Sequence, residues 1–153
     1  MNIQEFKSQI KPHTAIIGFD YGDKRLGVAL SDLLWMVATP QKTIFRTNLK
    51  DDIKQIVRLA EEREVGGIVY GLPLQMNGQE GETAVKVRQF AAELYKFLPL
   101  PYTFWDERLS SRAIESFLIN QVDMSRTKRK QVLDSSSAGY ILQGFLDFLS
   151  KLV

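Results

Sequence analysis

The chain has 153 residues, of which 44% are hydrophobic and 25% are charged, a balance typical of globular proteins. We expect a single domain over residues 1–153, long enough to bury a full core. The net charge is only +2, so composition by itself does not indicate a nucleic-acid partner. Because the chain has no cysteine, disulfides, thiolate zinc sites and a cysteine nucleophile are excluded, and its single histidine argues against a Ser-His-Asp triad.

The N-terminal segment does not have the pattern of a targeting sequence. Its first residues are too charged for a signal peptide, and no uncharged apolar run reaches the ~18 residues of a membrane span. We therefore expect a cytoplasmic protein. We expect the residues before Thr14 to form an arm ahead of the first strand that is either disordered or specific to the strain.

The first half of the chain predicts a β-hairpin followed by a helix and a parallel strand. Residues 14–20 and 25–30 are the two hairpin strands, and a third strand is expected near 42–45. Asn48 can cap a helix, because apolar residues recur after it at helical spacing. Residues 65–70 then predict a strand parallel to the first. The apolar positions of the helix are Ile53, Ile56, Val57 and Ala60.

The second half predicts two further helices around one more strand, and then a long helix. Residues 71–81 form a loop with three glycines, and a helix with Val87, Ala91, Leu94 and Leu98 on one side follows it. A strand is expected over 102–106, a helix over 110–120, and a last helix from between Arg126 and Lys130 to about Ser150. This order predicts an α/β protein with a mixed sheet, mostly parallel after an antiparallel start.

Three carboxylates lie where an ordinary core would place apolar side chains. Asp20 ends the first apolar strand, and Glu107 directly follows the strand over 102–106. Asp134 lies on the apolar stripe of the last helix, in line with Ala138 and Ile141. Functional groups gather at the carboxyl ends of parallel strands, and buried carboxylates are costly unless cations neutralise them. The three positions therefore predict a metal site on a sheet edge that is completed by a helix.

Each acid also has a structural explanation. Asp20 could bond the backbone of the turn that follows it. Glu107 could pair with Arg108 or Arg112, and Asp106 competes with it for the metal-ligand role. Asp134 could lie in the first turn of its helix and interact with the helix dipole. Together, however, three such acids suit Mg²⁺ or Mn²⁺, and two divalent ions ~3.5–4 Å apart can activate water and stabilise the leaving oxygen of a phosphodiester.

Basic residues accompany each acid, as binding to a phosphate backbone would require. The alternative is a solvated charged face. The loop 71–81 could contact substrate or be an ordinary connection. The candidate nucleic-acid-binding residues are Lys24, Arg25, Arg108, Arg112, Arg126, Lys128, Arg129 and Lys130.

Four motifs together resemble the YqgF family, also called RuvX. Its members are RNase H-like Holliday junction resolvases, also assigned as pre-16S rRNA nucleases. The segment FDYGDKRLGVALSD at 19–32 is similar to the family's opening motif, and GLPLQMNG at 71–78 is similar to its second motif. The segment DERLS at 106–110 is similar to the third motif, and DSSSAGYILQ at 134–143 is similar to the fourth. The resemblance covers most of the chain, in order and with fitting spacing.

The resemblance implies an RNase H-like fold with a five-stranded mixed sheet, strand order 3-2-1-4-5, strand 2 antiparallel, and flanking helices. It implies catalytic and metal-binding roles for Asp20, Glu107 and Asp134, dependence on Mg²⁺ or Mn²⁺, and structured nucleic acid as substrate. Ser137 stands where family members often carry alanine. Related junction resolvases carry a second acid in the last helix, where this chain has serines.

The leading hypothesis is a metal-dependent endonuclease acting on precursor ribosomal RNA or branched DNA, and leaving a 3′-hydroxyl and a 5′-phosphate. It would be a monomer or a homodimer, and a dimer is expected for a junction substrate because two symmetric strands are cut. An alternative is a non-catalytic protein that binds structured RNA or DNA in ribosome maturation or transcription. An actin-like ATP-binding protein ranks last, because 153 residues leave no room for a second lobe.

Overall fold

The structure is a computed structural model that describes residues 1–109 and 126–152, with side chains described up to 109 and from 137 onward. Its centre is a mixed β-sheet. The strands are β1 (Ala15–Tyr21), β2 (Arg25–Ser31), β3 (Ala38–Pro40), β4 (Ile44–Phe45), β5 (Val65–Leu72) and β6 (Tyr102–Asp106). The helices are α1 (Ile3–Gln9), α2 (Leu49–Glu62), α3 (Glu82–Tyr95) and α4 (Arg126–Lys151).

The strand order over the described residues is β3-β2-β1-β5-β6, and β4 also pairs with β2. Strand β2 is antiparallel to β1, β3 and β4, whereas β1, β5 and β6 run parallel to one another. The predicted class and the antiparallel second strand are therefore confirmed. The predicted count of five strands is wrong, because the strand expected near 42–45 is only the short β4, and β3, which was not predicted, precedes it. Pro40, which has no amide hydrogen for a continuous ladder, ends β3.

The two faces of the sheet carry separate cores. Ile17 and Phe19 of β1 point into the core that α2 and α3 cover. Ile16 points to the opposite face, where α4 and α1 pack. This alternation follows from the two-residue period of a strand. The apolar positions predicted for α2 are confirmed, and the Asn48 side chain caps that helix by accepting a hydrogen bond from the Asp51 amide.

Helix α1 corrects the expectation of an N-terminal arm. Phe6 is fully buried and meets Phe145 of α4 edge to face, with the ring centroids 5.5 Å apart. Gly67 of β5 makes room for this helix, because a Cβ atom there would lie 2.6 Å from Phe6 Cζ. Lys7 Nζ donates to the carbonyl oxygens of Leu149 and Leu152 near the end of α4. A seven-residue helix with so few core positions has little periodicity to reveal it in the sequence.

Helix α4 lies across the sheet antiparallel to β1. Ser137 contacts Asp20 at the carboxyl end of β1, and Leu142 packs against Gly18, two residues earlier in the strand. Further along, Phe145 reaches α1. Toward its N-terminus the helix therefore extends past the carboxyl edge of the sheet. Among the described helices, none has an apolar stretch of the length that a membrane crossing requires.

Candidate active site

Asp20 and Glu107 meet at the carboxyl edge of the parallel strands. Asp20 is the penultimate residue of β1, and Glu107 directly follows β6. Strand β5 lies between them and is crossed at Gly71, where a Cβ atom would lie 2.6 Å from Glu107 Oε1. Because Gly71 has no side chain, the Glu107 carboxyl group can extend over β5 to Asp20. The loop predicted from residue 71 therefore begins two residues later, since β5 continues through Leu72.

The contact between the two acids shifts the protonation of one of them. Burial, and next the negative charge of Asp20, raise the pKa of Glu107 to about 7. A hydrogen bond between the two carboxyl groups favours the protonated form of Glu107 in the same direction. Within the described residues, no lysine or arginine forms a salt bridge with either acid. Two carboxylates thus share a partly buried site without an internal cation.

A hydroxyl group from α4 holds Asp20 from the other side. Ser137 Oγ donates a 2.6 Å hydrogen bond to Asp20 Oδ2. The close approach of α4 depends on Gly27 of β2, where a Cβ atom would lie 3.2 Å from Asp20 Cβ and 3.4 Å from Ala138 Cβ. Ser137 was noted in the sequence only as a small-for-small departure. Its contact with Asp20 is a tertiary feature that no sequence pattern indicated.

Asp134 lies on α4, three residues before Ser137, which is about 4.5 Å along the helix axis. Because α4 runs antiparallel to β1, this position lies toward the outside of the carboxyl edge. Its side chain is outside the described part of the chain. Among the described side chains no group of three metal-ligating residues is found, so the structure brings two of the three predicted acids together.

Asp106 has a different environment from its neighbour Glu107. It accepts hydrogen bonds from Arg108 Nε at 3.0 Å and from Arg108 Nη2 at 2.7 Å. The hydrogen bond from the Arg108 guanidinium lowers the pKa of Asp106 below its usual value. The ion pair that was considered for Glu107 is therefore made by Asp106.

Arg108 also connects this edge to the loop that follows β5. Its Nη1 atom lies 3.3 Å from the carbonyl oxygen of Gln75, to which it donates. The loop is a small hairpin, in which Leu74 and Glu80 form an isolated bridge and Gly78 has a φ of +84°. The guanidinium of Arg108 is thus occupied by protein groups.

The structure shows the side chains of only two of the remaining predicted phosphate-binding residues. Lys24 and Arg25 are exposed at the turn between β1 and β2, next to Asp20. Arg112 lies outside the described residues, as does the helix predicted over 110–120. The other four, Arg126, Lys128, Arg129 and Lys130, occupy the first two turns of α4, and their side chains are outside the described part.

The site provides carboxylate oxygens, which are the ligands that Mg²⁺ and Mn²⁺ prefer. A divalent cation held by Asp20 and Glu107 would offset the burial and the repulsion from Asp20 that together raise the Glu107 pKa. The described residues therefore fit such an ion.

The family model for RuvX, described as a Holliday junction resolvase, matches residues 14–148. The chain belongs to this family. The relatives it matches include a "Putative pre-16S rRNA nuclease" from Cereibacter sphaeroides strain KD131, 46% identical over 98% of this chain and 93% of that protein. A protein of the same description from Ruegeria pomeroyi is 43% identical over 98% of this chain and 97% of its own length.

Solved structures support the RNase H-like class of this RuvX chain. T. thermophilus RuvC in complex with a Holliday junction has a TM-score of 0.56 at 9% identity, covering 91% of this chain and 98% of RuvC. The yeast mitochondrial Holliday junction resolvase Ydc2 has a TM-score of 0.54 at 12% identity, covering 97% of this chain and 84% of Ydc2. At these identities the likeness concerns the fold.

Proposed function

We propose that this RuvX-family chain is a divalent-metal-dependent endonuclease that hydrolyses phosphodiester bonds of structured nucleic acid. The observation that carries the proposal is the contact of Asp20 with Glu107 at the carboxyl edge, without a lysine or arginine partner among the described residues. The proposal treats residues 1–153 as one nuclease domain.

In this proposal Asp20, Glu107 and Asp134 bind Mg²⁺ or Mn²⁺. When bound, the ion supplies Lewis-acid activation of water and stabilises the charge that develops on the leaving oxygen. The Ser137 hydroxyl keeps one oxygen of Asp20 engaged and so fixes the direction of the other. With a pKa of about 7, Glu107 is mostly protonated below that pH in the metal-free protein, and holding a cation would require it to release that proton.

The basic residues would hold the substrate backbone on either side of the acids. Lys24 and Arg25 are the best placed, because neither has a carboxylate partner among the described residues. Arg108 is engaged by Asp106, so its contribution would require exchange of that partner. Four cations in the first two turns of α4 extend this surface, since the helix continues about 16 Å from Ser137 to Arg126.

The substrate class follows the relatives. The names of the relatives refer to pre-16S rRNA, and the family description refers to Holliday junctions, so both are substrates to test. A cytoplasmic location belongs to the proposal, because both nucleic acids are made inside the cell. Cleavage of a junction would require two copies of the chain, one for each of the symmetric strands.

The test is cleavage of a precursor rRNA fragment and of a four-way DNA junction in Mg²⁺ or Mn²⁺ by the wild type, Asp20→Asn and Asp23→Asn. Asp23 is a matched control, because it lies three residues from Asp20 and forms an exposed ion pair with Lys86. We expect Asp20→Asn to lose at least about a hundredfold in rate and Asp23→Asn to retain activity.

Equal cleavage by the wild type and Asp20→Asn would point to a contaminating nuclease and overturn the proposal. Salt-sensitive binding of either substrate without cleavage by the wild type would instead favour the non-catalytic alternative. Measuring binding in EDTA beside cleavage separates these two outcomes.

A further inference from the structure

An aromatic ring lies exposed on the edge strand next to the candidate active site. Phe45 ends β4 and is 63% exposed, although strands usually bury such a side chain. Arg25 lies opposite it in the β2–β4 register, and the guanidinium carbon is 5.7 Å from the centre of the Phe45 ring. The pair thus combines an exposed aromatic ring with a cation over that ring.

The register places this pair on the same face of the sheet as Asp20. Asp20 is opposite Gly27, and Arg25 is two residues from Gly27 on β2, so alternation returns its side chain to the face of Asp20. Phe45 is opposite Arg25 and shares that face. Phe45 lies two strands away from β1 across the sheet and two residues along the strand direction from the level of Asp20. These spacings place the two residues about 12 Å apart. A stack of about three to four nucleotides spans that distance.

The cations of the β1–β2 turn are not paired with acids in the described part of the chain. Arg46, Arg88 and Arg108 each have a carboxylate partner. In contrast, Lys24 and Arg25 have none within the described residues. Such a combination of positive charge and an exposed ring is typical of single-stranded nucleic-acid sites, where bases stack on aromatic side chains.

The surface between β4 and α2, at the same edge of the sheet, is also basic. Lys42 and Arg58 line, together with Phe45, a cavity of about 420 Å³ between β4 and α2. Neither residue forms an ion pair or a side-chain hydrogen bond within the described part of the chain, and Glu62 is the acid among the lining residues. Phe45 therefore contacts Arg25 through its ring, and as a residue it lines a cavity with Lys42 and Arg58.

We propose that Phe45, together with Arg25, is a stacking platform for an unpaired nucleobase of the strand whose phosphate enters the Asp20 site. This inference rests on the proposed function and adds a substrate feature to it. A base in a duplex has its faces covered by its neighbours, so the platform favours substrates with an unpaired nucleotide near the cleavage point. A purely structural role of the pair predicts instead that substitution lowers stability and leaves binding unchanged.

The test measures binding of a single-stranded DNA oligonucleotide of about 12 nucleotides to the full chain in EDTA, where metal-dependent cleavage is absent. The probe carries 2-aminopurine at one position at a time. The variants are Phe45→Ala, Phe45→Leu and Phe45→Trp. Phe97→Ala is the matched control, because Phe97 is 62% exposed but lies before β6, at the opposite edge of the sheet.

We expect Phe45→Ala and Phe45→Leu to weaken binding by about fivefold to a hundredfold, and Phe45→Trp and Phe97→Ala to bind like the wild type. The leucine variant keeps an apolar side chain and lacks only the ring, so it separates stacking from hydrophobic contact. The fluorescence change of one 2-aminopurine position should disappear with Phe45→Ala. A blunt duplex of the same sequence should bind equally to the wild type and Phe45→Ala.

Wild-type binding that Phe45→Ala and Phe45→Leu leave unchanged would overturn the platform and leave the proposed nuclease intact. Equal losses in Phe45→Ala and Phe97→Ala would also overturn it, because the effect would not depend on position. A wild type that binds neither the single strand nor the duplex would overturn this inference, while cleavage of the rRNA fragment and the four-way junction tests the proposed function separately. Thermal unfolding of each variant, with Phe45→Trp as the conservative replacement, checks that any loss is not one of folding.

Discussion

Two carboxylate sites in this molecule have opposite surroundings, since one acid contacts an arginine and the other contacts a second acid. Asp52 in the first turn of α2 is fully buried, and Arg46 Nε lies 3.2 Å from its Oδ2 atom. The Arg46 guanidinium is held in turn by the carbonyl oxygen of Gly22 at 3.1 Å and by the ring of Tyr21, whose centroid is 4.8 Å away. Asp20 instead faces a second acid, Glu107, at the carboxyl edge of the sheet.

The difference separates an acid whose charge the fold matches from an acid of the proposed metal site. Asp52 has an arginine and the Thr47 amide as fixed partners, so its charge is matched within the fold. Asp20 has the Ser137 hydroxyl and a carboxyl group with a raised pKa as its partners, and no lysine or arginine pairs with it within the described residues. A partly buried acid therefore indicates a candidate functional site when its neighbours make its ionised form less favourable.

Breaking the structural pair should have the largest effect on stability. We expect Asp52→Ala to lower the free energy of unfolding by about 3–5 kcal/mol, because Arg46 would be left in a largely buried position without its carboxylate. The measurement is denaturation in urea. Asp51→Ala is the control, since Asp51 lies in the same first turn but is exposed, and we expect a loss below about 1 kcal/mol. Similar values for both variants would remove the distinction between the two sites.

At the candidate active site, removing a charge should stabilise the metal-free protein. The Glu107 pKa of about 7 lies above its unfolded value near 4.5, so ionisation costs stability. This cost is nearly absent below pH 4.5, grows between pH 4.5 and 7, and is complete above pH 7. We expect Glu107→Gln to raise the free energy of unfolding at pH 8 in EDTA by about 2 kcal/mol more than at pH 5.

Asp106→Asn should change the free energy of unfolding in the opposite direction to Glu107→Gln. The guanidinium of Arg108 lowers the Asp106 pKa, so the ionised form adds stability above the unfolded pKa, and that stability is lost as pH falls through the lower folded value. Asp106→Asn should therefore destabilise the protein at pH 8. If Glu107→Gln also destabilised the protein at pH 8, the unfavourable contact between Asp20 and Glu107 would be refuted.

The smallest effect is expected at Ser137, which positions Asp20. Ser137→Ala removes the hydrogen bond to Asp20 Oδ2 and should weaken Mn²⁺ binding by about tenfold, or about 1.4 kcal/mol. Calorimetric titration with Mn²⁺ measures this. Ser150→Ala on the same helix is the control, because Ser150 Oγ donates only to the Asp147 carbonyl oxygen. Unchanged Mn²⁺ affinity in Ser137→Ala would exclude a positioning role.

Much of this architecture could be predicted from local pattern. The strand over 102–106 and the cap of α2 at Asn48 follow from apolar runs and a capping side chain, and both are confirmed. Helix α1 was missed, because its burial depends on Gly67 in a strand far along the chain. Strand β3 was missed, because this short segment, like β4, is a strand only through its pairing with β2.

The sequence by itself determined the alternating strands, the helix periods and the positions of three unusual acids. The choice between Glu107 and Asp106 was supported in the sequence chiefly by family resemblance, and only the tertiary structure explains it. Arg108 neutralises Asp106, while Glu107 passes over Gly71 to Asp20. The orientation of Asp20 by Ser137 and the shared face of Phe45 and Asp20 were likewise decided by strand register and helix packing. These are contacts between residues distant in the chain, and local propensity carries no information about them.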